Sequence, residues 1–310
     1  MTELHPLRIG TRGSPLALIQ AELVRDQLAA AHPEQAAPVI NVIRTTGDKV
    51  RDRALSEIGG KGLFTKEIED ALFSGAIDLA VHSMKDMPTW QSDGLSLVCQ
   101  LEREDPRDAL LAGDAGSVAG LRQGAVIGSA SLRRRAQILM VRPDLEMALI
   151  RGNVETRLAK LAAGEVDGTL LAMAGLVRLG MVEKSGAIAL EPEEMLPAVA
   201  QGVICIECRD DDAPTRDALA PLNHQPTATV TAAERAFLEV LDGSCRTPLA
   251  GYAVLEPHGD VHFRGLIARP DGSEHHSAER RGPAVDAAAM GVDAGNELKA
   301  LAGPGFFDDD

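Results

Sequence analysis

The chain has 310 residues, 45% hydrophobic and 25% charged, a composition of two or three globular domains. Its net charge of -15 repels nucleic acid and anionic membranes at long range, and six Phe, one Trp and one Tyr are too few for a base-stacking surface. No apolar run approaches the ~20 residues that span a bilayer, and four cysteines (Cys99, Cys205, Cys208, Cys245) make no disulfide framework. The opening MTELHPLRIG lacks the charged-then-apolar pattern of a secretory signal, so a cytoplasmic location with free thiols is expected.

Short β-branched runs alternate with amphipathic stretches, the mark of α/β layering. Leu7–Ile9 reads as a strand, Gly10–Gly13 as a turn, Ser14 as an N-cap and Pro15 as a first helical residue. Leu16, Ile19, Leu23, Val24 and Leu28 then share one helical face. Val39–Ile43 is a strand. Gly59–Gly62 opens a helix with Leu63, Phe64, Ile68 and Leu72 inward, and strands follow at Ile77–Val81 and Leu95–Cys99. The charged, Pro-broken run Glu102–Asp108 marks a domain crossing.

A second α/β series loosely repeats the first: strand Ala125–Ile127, turn Gly128–Ala130, N-cap Ser131, then a helix from Leu132. Strand Leu145–Ile150, helix Val154–Ala163 and strand Gly168–Ala172 continue it, and Val203–Cys208 is a late strand able to pair with either lobe. Thr231–Glu234 has the form of a capping box, opening a helix to about Leu241. Strands Tyr252–Leu255 and Val261–Ile267 and an Ala-rich helix close a small α+β domain, and His275–His276 falls in a strand-like polar region at the surface.

The basic residues are unevenly placed. Ser131 to Arg157 holds six arginines against three acids, a net +3 within a chain of -15. Arg133 and Arg134 fall in the first turn of a helix, where the macrodipole disfavours cations, so an anion is expected to meet them. Several arginines suit a ligand with several carboxylates, since each guanidinium binds carboxylate in two points. Taken singly, each arginine is better read as part of a solvated helix face.

His82-Ser83-Met84-Lys85-Asp86 follows a strand at the edge where α/β sites form. Asp86 is a candidate for stabilising a cation or moving a proton, and Lys85 for contacting an anion. Gly59-Gly60-Lys61-Gly62 lacks the spacing of a phosphate loop and, with Thr45–Arg53, reads as a mobile lid or a plain flexible turn. In a strand of period two, Cys205 and Cys208 point to opposite faces, which excludes a shared metal or a redox pair. Cys245, in a polar loop beside Arg246, suits covalent attachment better than fast nucleophilic chemistry. No metal-ligand spacing is present.

Nine stretches in one order, covering the chain almost end to end, resemble porphobilinogen deaminases (hydroxymethylbilane synthases). They are TRGSPLAL (11–18), GGKGLFTKEIE (59–69), DLAVHSMKDMP (78–88), EREDPRDAL (102–110), GSASLRRRAQ (128–137), RGNVETRL (151–158), LAMAGLVRLG (171–180), LPAVAQGVICIECR (196–209) and DGSCRTPLAG (242–251). The resemblance implies two periplasmic-binding-protein-like α/β lobes with a ligand cleft, and a small α+β C-terminal domain. Its boundaries would be 1–101 with 201–221 for lobe 1, 102–200 for lobe 2 and 222–310 for the cofactor-attachment domain.

It further implies a monomeric transferase of tetrapyrrole (haem) biosynthesis that joins four porphobilinogen molecules, losing ammonia at each, to give hydroxymethylbilane. A dipyrromethane cofactor would be thioether-linked to Cys245. By motif, Asp86 would be the catalytic carboxylate that protects the azafulvene-like cation and handles pyrrole protons. Ser83, Lys85, Ser129, Ser131, Arg133 and Arg134 would hold the cofactor. Arg12, Ser14, Gln20, Arg151, Arg157 and Arg178 would meet substrate carboxylates, with Gln201 at the lobe junction. Ser244, Ala130 and Glu57 depart from the family pattern without touching Asp86, the Arg pair or Cys245. Two rival readings stand beside this one: a two-lobed anion-binding or sensor protein without catalysis, and a hydrolase using Ser83 and Lys85.

Overall fold

The structure, a computed structural model, describes residues 6–46, 65–241 and 247–307. These fall into two compact units. One comprises described residues up to 104 together with 202–228, the other residues 105–201 with 229–307. Among the described residues, the chain first passes from one unit to the other inside the charged run Glu102–Asp108.

The first unit contains β1 (Arg8–Arg12), α1 (Pro15–Ala31), β2 (Val39–Ile43), α2 (Lys66–Phe73), β3 (Leu79–Ser83) and β4 (Leu95–Gln100). Its sheet order is β2-β1-β3-β10-β4, where β10 is Ile204–Arg209. The late strand thus joins the first sheet, antiparallel to both β3 and β4, while β1, β2 and β3 run parallel. Ile9, Leu79, Val81, Cys99, Ile204 and Ile206 pack with Ala21, Val24 and Leu28 of α1 in the core.

Two local expectations change. Gly10, Thr11 and Arg12 continue β1 instead of turning, because Gly10 serves close packing: a Cβ there would lie 2.2 Å from Cδ1 of Ile77. Helix α1 begins as expected, with Pro15 in its first turn and the Ser14 hydroxyl accepting from the Ala17 N–H. Its buried face, however, is Gln20, Ala21, Val24 and Leu28, while Leu23 is 38% exposed. The helix lies close to the sheet through small Ala21 and turns polar Gln20 inward, where Ser83 receives it.

The second unit repeats the plan with β5 (Asp108–Leu111), β6 (Val126–Gly128), α3 (Leu132–Val141), β7 (Glu146–Ala148), α4 (Val154–Ala162), β8 (Gly168–Ala172), α5 (Met173–Arg178), α6 (Val182–Ser185) and β9 (Ile188–Leu190). Its sheet order is β7-β6-β8-β5-β9. Three strands are again parallel and followed by an antiparallel one, β5, which pairs with β8 and β9. Sequence patterning did not separate β5 from the charged crossing, yet Asp108 to Leu111 are all buried. Ser131 and Asn153 cap α3 and α4.

After α7 (Ala213–Leu219) come α8 (Gln225–Val240), the antiparallel sheet β11 (Leu249–Leu255), β12 (Asp260–Ala268) and β13 (His275–Pro283), and α9 (Ala287–Ala302). His275 and His276 thus belong to a strand, paired with Ala268 and Ile267. Phe237 and Phe263 are fully buried between α8 and the sheet, their ring centroids 5.1 Å apart. The capping box is corrected: α8 begins at Gln225, so Thr231 and Glu234 lie in its interior, wholly buried. Glu234 is spent on remote backbone, accepting from the N–H groups of Ala200 and Ala253. The class expected from the sequence stands: two α/β sheets of like build and a small α+β C-terminal portion.

Candidate active site

In the first unit, β3 ends at Ser83 and a 3-10 turn, Met84–Asp86, follows. Met84 and Met87 are buried, which pins the turn at both ends and leaves Lys85 and Asp86 exposed between them. The Met84 N–H donates to the Val203 carbonyl at 2.9 Å, fastening the turn to the strand beside it. Arg12, Ser14, Gln20, Ser83 and Asp86 line one open pocket, together with Thr65 and His82. The Gln20 amide and the Ser83 hydroxyl are hydrogen-bonded at 2.9 Å. The Ser83 hydroxyl is thus engaged by Gln20 in the pocket wall.

His82 and Glu207 were not singled out in the sequence. They sit on neighbouring strands, both buried, with Nε2 3.2 Å from Oε2, and Oε1 of Glu207 is buried without a hydrogen-bond partner. The only hint in the sequence was a polar residue inside each of two apolar strands.

In the second unit the arginines converge. Asp108 is wholly buried. Its Oδ2 accepts from Nη1 of Arg133 at 2.7 Å. Its Oδ1 accepts from Nη2 of Arg133 at 3.1 Å and from Nε and Nη2 of Arg134 at 2.9 and 2.7 Å. Gln201 Nε2 donates to the same Oδ1 at 3.2 Å and to the Pro106 carbonyl at 2.7 Å. Burial alone would raise the Asp108 carboxyl, but the two guanidiniums more than offset it and hold it well below the usual carboxylate range. The anion that Arg133 and Arg134 grip in the structure is Asp108, a residue of the chain. The Asp was hidden in the sequence because a charged run reads as exposed.

One carboxylate does not balance this cluster. Burial, then the charges of Arg134 and Arg151, push the Arg157 guanidinium down to about 10. Nη1 of Arg151 is buried with no hydrogen-bond partner. Ser131 caps α3 by accepting from the Arg134 N–H, and the Ser129 hydroxyl accepts from the Ser131 N–H at 3.1 Å. Arg178 ends α5, half-buried. An orphaned buried donor and a guanidinium whose charge lacks an acidic partner fit a polycarboxylate ligand.

Cys99, Cys205 and Cys208 are buried thiols outside any disulfide. Burial pushes the thiols of Cys99 and Cys208 up to about 12 and about 11. Among the described residues there is no His/Cys/Asp/Glu group able to hold a metal ion. Cys245, Ser244, Glu57 and the Gly59–Gly62 segment with Lys61 lie outside the described residues.

Residues 7–217 match the family model described as "Porphobilinogen deaminase, dipyromethane cofactor binding domain", and residues 228–300 match the porphobilinogen deaminase C-terminal domain. The porphobilinogen deaminase of Paracoccus denitrificans is 58% identical over 306 residues, covering 98% of this chain and 97% of that one. The chloroplastic enzyme of Oryza sativa is 56% identical over 308 residues, covering 97% of this chain and 86% of the other. Among solved structures, the periplasmic VFT2 domain of Bordetella pertussis BvgS is 14% identical with a TM-score of 0.41, covering 73% of this chain and 92% of that one. On two family domains and on relatives matched almost end to end, the chain belongs to the porphobilinogen deaminase family.

Proposed function

We propose that this chain joins four porphobilinogen molecules head to tail, with loss of ammonia, to give hydroxymethylbilane in tetrapyrrole biosynthesis, on a dipyrromethane held by Cys245. The observation that carries the residue assignment is the arginine surplus in the second unit, with the Arg151 Nη1 unpartnered and Arg157 pushed down beside it. Each pyrrole brings two carboxylates, so a growing chain of them supplies the anions that this cluster lacks. The dipyrromethane, when bound, supplies the free pyrrole carbon to which the first substrate is joined.

The chain's own groups divide the work. In each condensation a C–N bond of the substrate breaks as ammonia leaves, a C–C bond forms, and the pyrrole carbon loses a proton. Asp86, exposed at the mouth of its pocket, faces the positive charge that develops and accepts that proton. Arg12 in the same pocket takes a substrate carboxylate, and the Gln20–Ser83 pair orients the pocket wall. Lys85, Ser129 and Ser131 border the cofactor, as do Arg133 and Arg134 by their field. Arg151, Arg157 and Arg178 receive carboxylates of substrate and product. Ser14 shapes the entrance by capping α1, and Gln201 steadies Asp108.

The proposal includes a cytoplasmic monomer that binds no nucleic acid, in keeping with the net charge of -15. It also includes the three-part division into two lobes and a C-terminal attachment domain. The test is an intact mass: the purified chain exceeds 32.7 kDa by a covalent adduct and turns coloured with an acidic aldehyde reagent. Cys245→Ser loses both. An unmodified wild-type chain would refute the attachment and return the sensor reading.

A further inference from the structure

We propose that Asp108 is a positioning residue for the arginine cluster: it fixes the guanidiniums of Arg133 and Arg134, and without it the cluster, though more positive, binds carboxylates less well. The inference rests on the reading above that this cluster receives pyrrole carboxylates.

The geometry holds each guanidinium in its plane. Arg133 spans both carboxylate oxygens through Nη1 and Nη2, and Arg134 meets Oδ1 side-on through Nε and Nη2. The remaining terminal nitrogen of Arg134 donates to the Leu170 carbonyl of β8 at 2.9 Å, and Nη1 of Arg133 also donates to the Leu196 carbonyl at 2.8 Å. Arg134 thus gives all three nitrogens to the protein. Asp108 itself is rigid, because β5 lies between β8 and β9 and pairs there with Ala172 and Leu190.

The charges make this placement costly to lose. Two guanidiniums share one carboxylate in a site closed to solvent, leaving one positive charge uncompensated beside Arg151 and Arg157. Repulsion among four arginines would drive them into different rotamers unless something held them together. Asp108 does so from the side of the protein, which leaves the net positive charge for a ligand. Preorganised donors bind an anion without the cost of assembling them. Charge alone predicts the opposite outcome from positioning, since removing a negative group makes the site more attractive to anions.

The experiment compares wild type, Asp108→Asn and the charge-conserving Asp108→Glu. Intact mass reads the fraction of purified chains carrying the adduct. Titration with benzene-1,2,4,5-tetracarboxylate, followed by calorimetry on cofactor-free chains, reads the cluster without any cofactor. In Asp108→Asn, loading and tetracarboxylate affinity are both expected to fall about ten-fold per folded molecule, with partial recovery in Asp108→Glu. Equal or tighter binding in Asp108→Asn overturns the proposal. If that variant fails to fold, Gln201→Leu removes one donor from Oδ1 and keeps both ion pairs. It is expected to weaken the tetracarboxylate about three-fold, and unchanged binding there overturns the proposal. A wild-type chain without adduct refutes the Cys245 reading instead, and the titration still decides the role of Asp108.

Discussion

The N–H of Ala200 donates to Oε2 of Glu234 across 2.6 Å. Ala200 has φ of +56°, the one non-glycine residue at positive φ among the described residues. The other carboxyl oxygen accepts from the Ala253 N–H at 2.8 Å. A carboxyl group in the interior of α8 therefore fastens both β11 and the turn that presents Gln201 to Asp108. Glu234→Ala leaves two buried N–H groups without this acceptor and is expected to cost about 2–5 kcal/mol, read as a lower urea midpoint. Ala200→Gly relieves a backbone conformation that costs an L-residue about 1–2 kcal/mol, so its Tm should equal or exceed that of wild type. A large fall in Tm for Ala200→Gly would refute the strain.

Asp86→Asn removes the carboxylate from the first-unit pocket while keeping its size. Ammonia release is expected to fall about 10²–10⁴-fold. The side chain is exposed, so the urea midpoint should stay within about 0.5 kcal/mol of wild type. Near-normal turnover would remove Asp86 from the mechanism.

Arg157 gives a pH dependence with a definite sign. Its guanidinium, at about 10 in the folded chain, is held below its ordinary value, so folding disfavours its charge. Below about pH 10 the unliganded chain carries that cost. The cost begins to fall as pH rises past about 10 and is gone only at the ordinary guanidinium value, because between the two the unfolded chain binds the extra proton. A bound tetracarboxylate reverses the balance. The rise in Tm that it causes should be full from pH 7 to 9 and shrink above about 10. Arg157→Leu should lessen that rise and flatten its alkaline dependence. A ligand-induced shift identical in the two chains at every pH would refute a contact at Arg157.

Cys99 and Cys208 should resist thiol reagents in the native chain at pH 8, where burial keeps them protonated. Both should react on unfolding. Their neutral thiols favour the folded state below the ordinary thiol range, an advantage lost as pH climbs toward 11 and 12. Labelling of either residue in folded protein would contradict the buried environment.

Much of this protein was legible in its linear order. Ser14-Pro15 and Ser131 announced helix starts because capping is a local matter, settled by one hydroxyl and the N–H three residues on. Val39–Ile43 and Gly168–Ala172 emerged at their observed limits because short β-branched or apolar runs bounded by loops have few alternatives. The polar turn holding Asp86 and the arginine-rich segment could likewise be marked from residue type and spacing.

Only the tertiary structure decided which charge meets which. Asp108 sits in a run that reads as exposed, yet a central strand carries it to the arginines. Glu234 has the spacing of a capping box, but a helix beginning six residues before Thr231 turns it into a buried acceptor for remote backbone. The physical reason is common to both. A cap or a strand edge is a bargain between neighbours in the chain, whereas burying an ionised or polar group succeeds only when partners distant in sequence arrive to satisfy it.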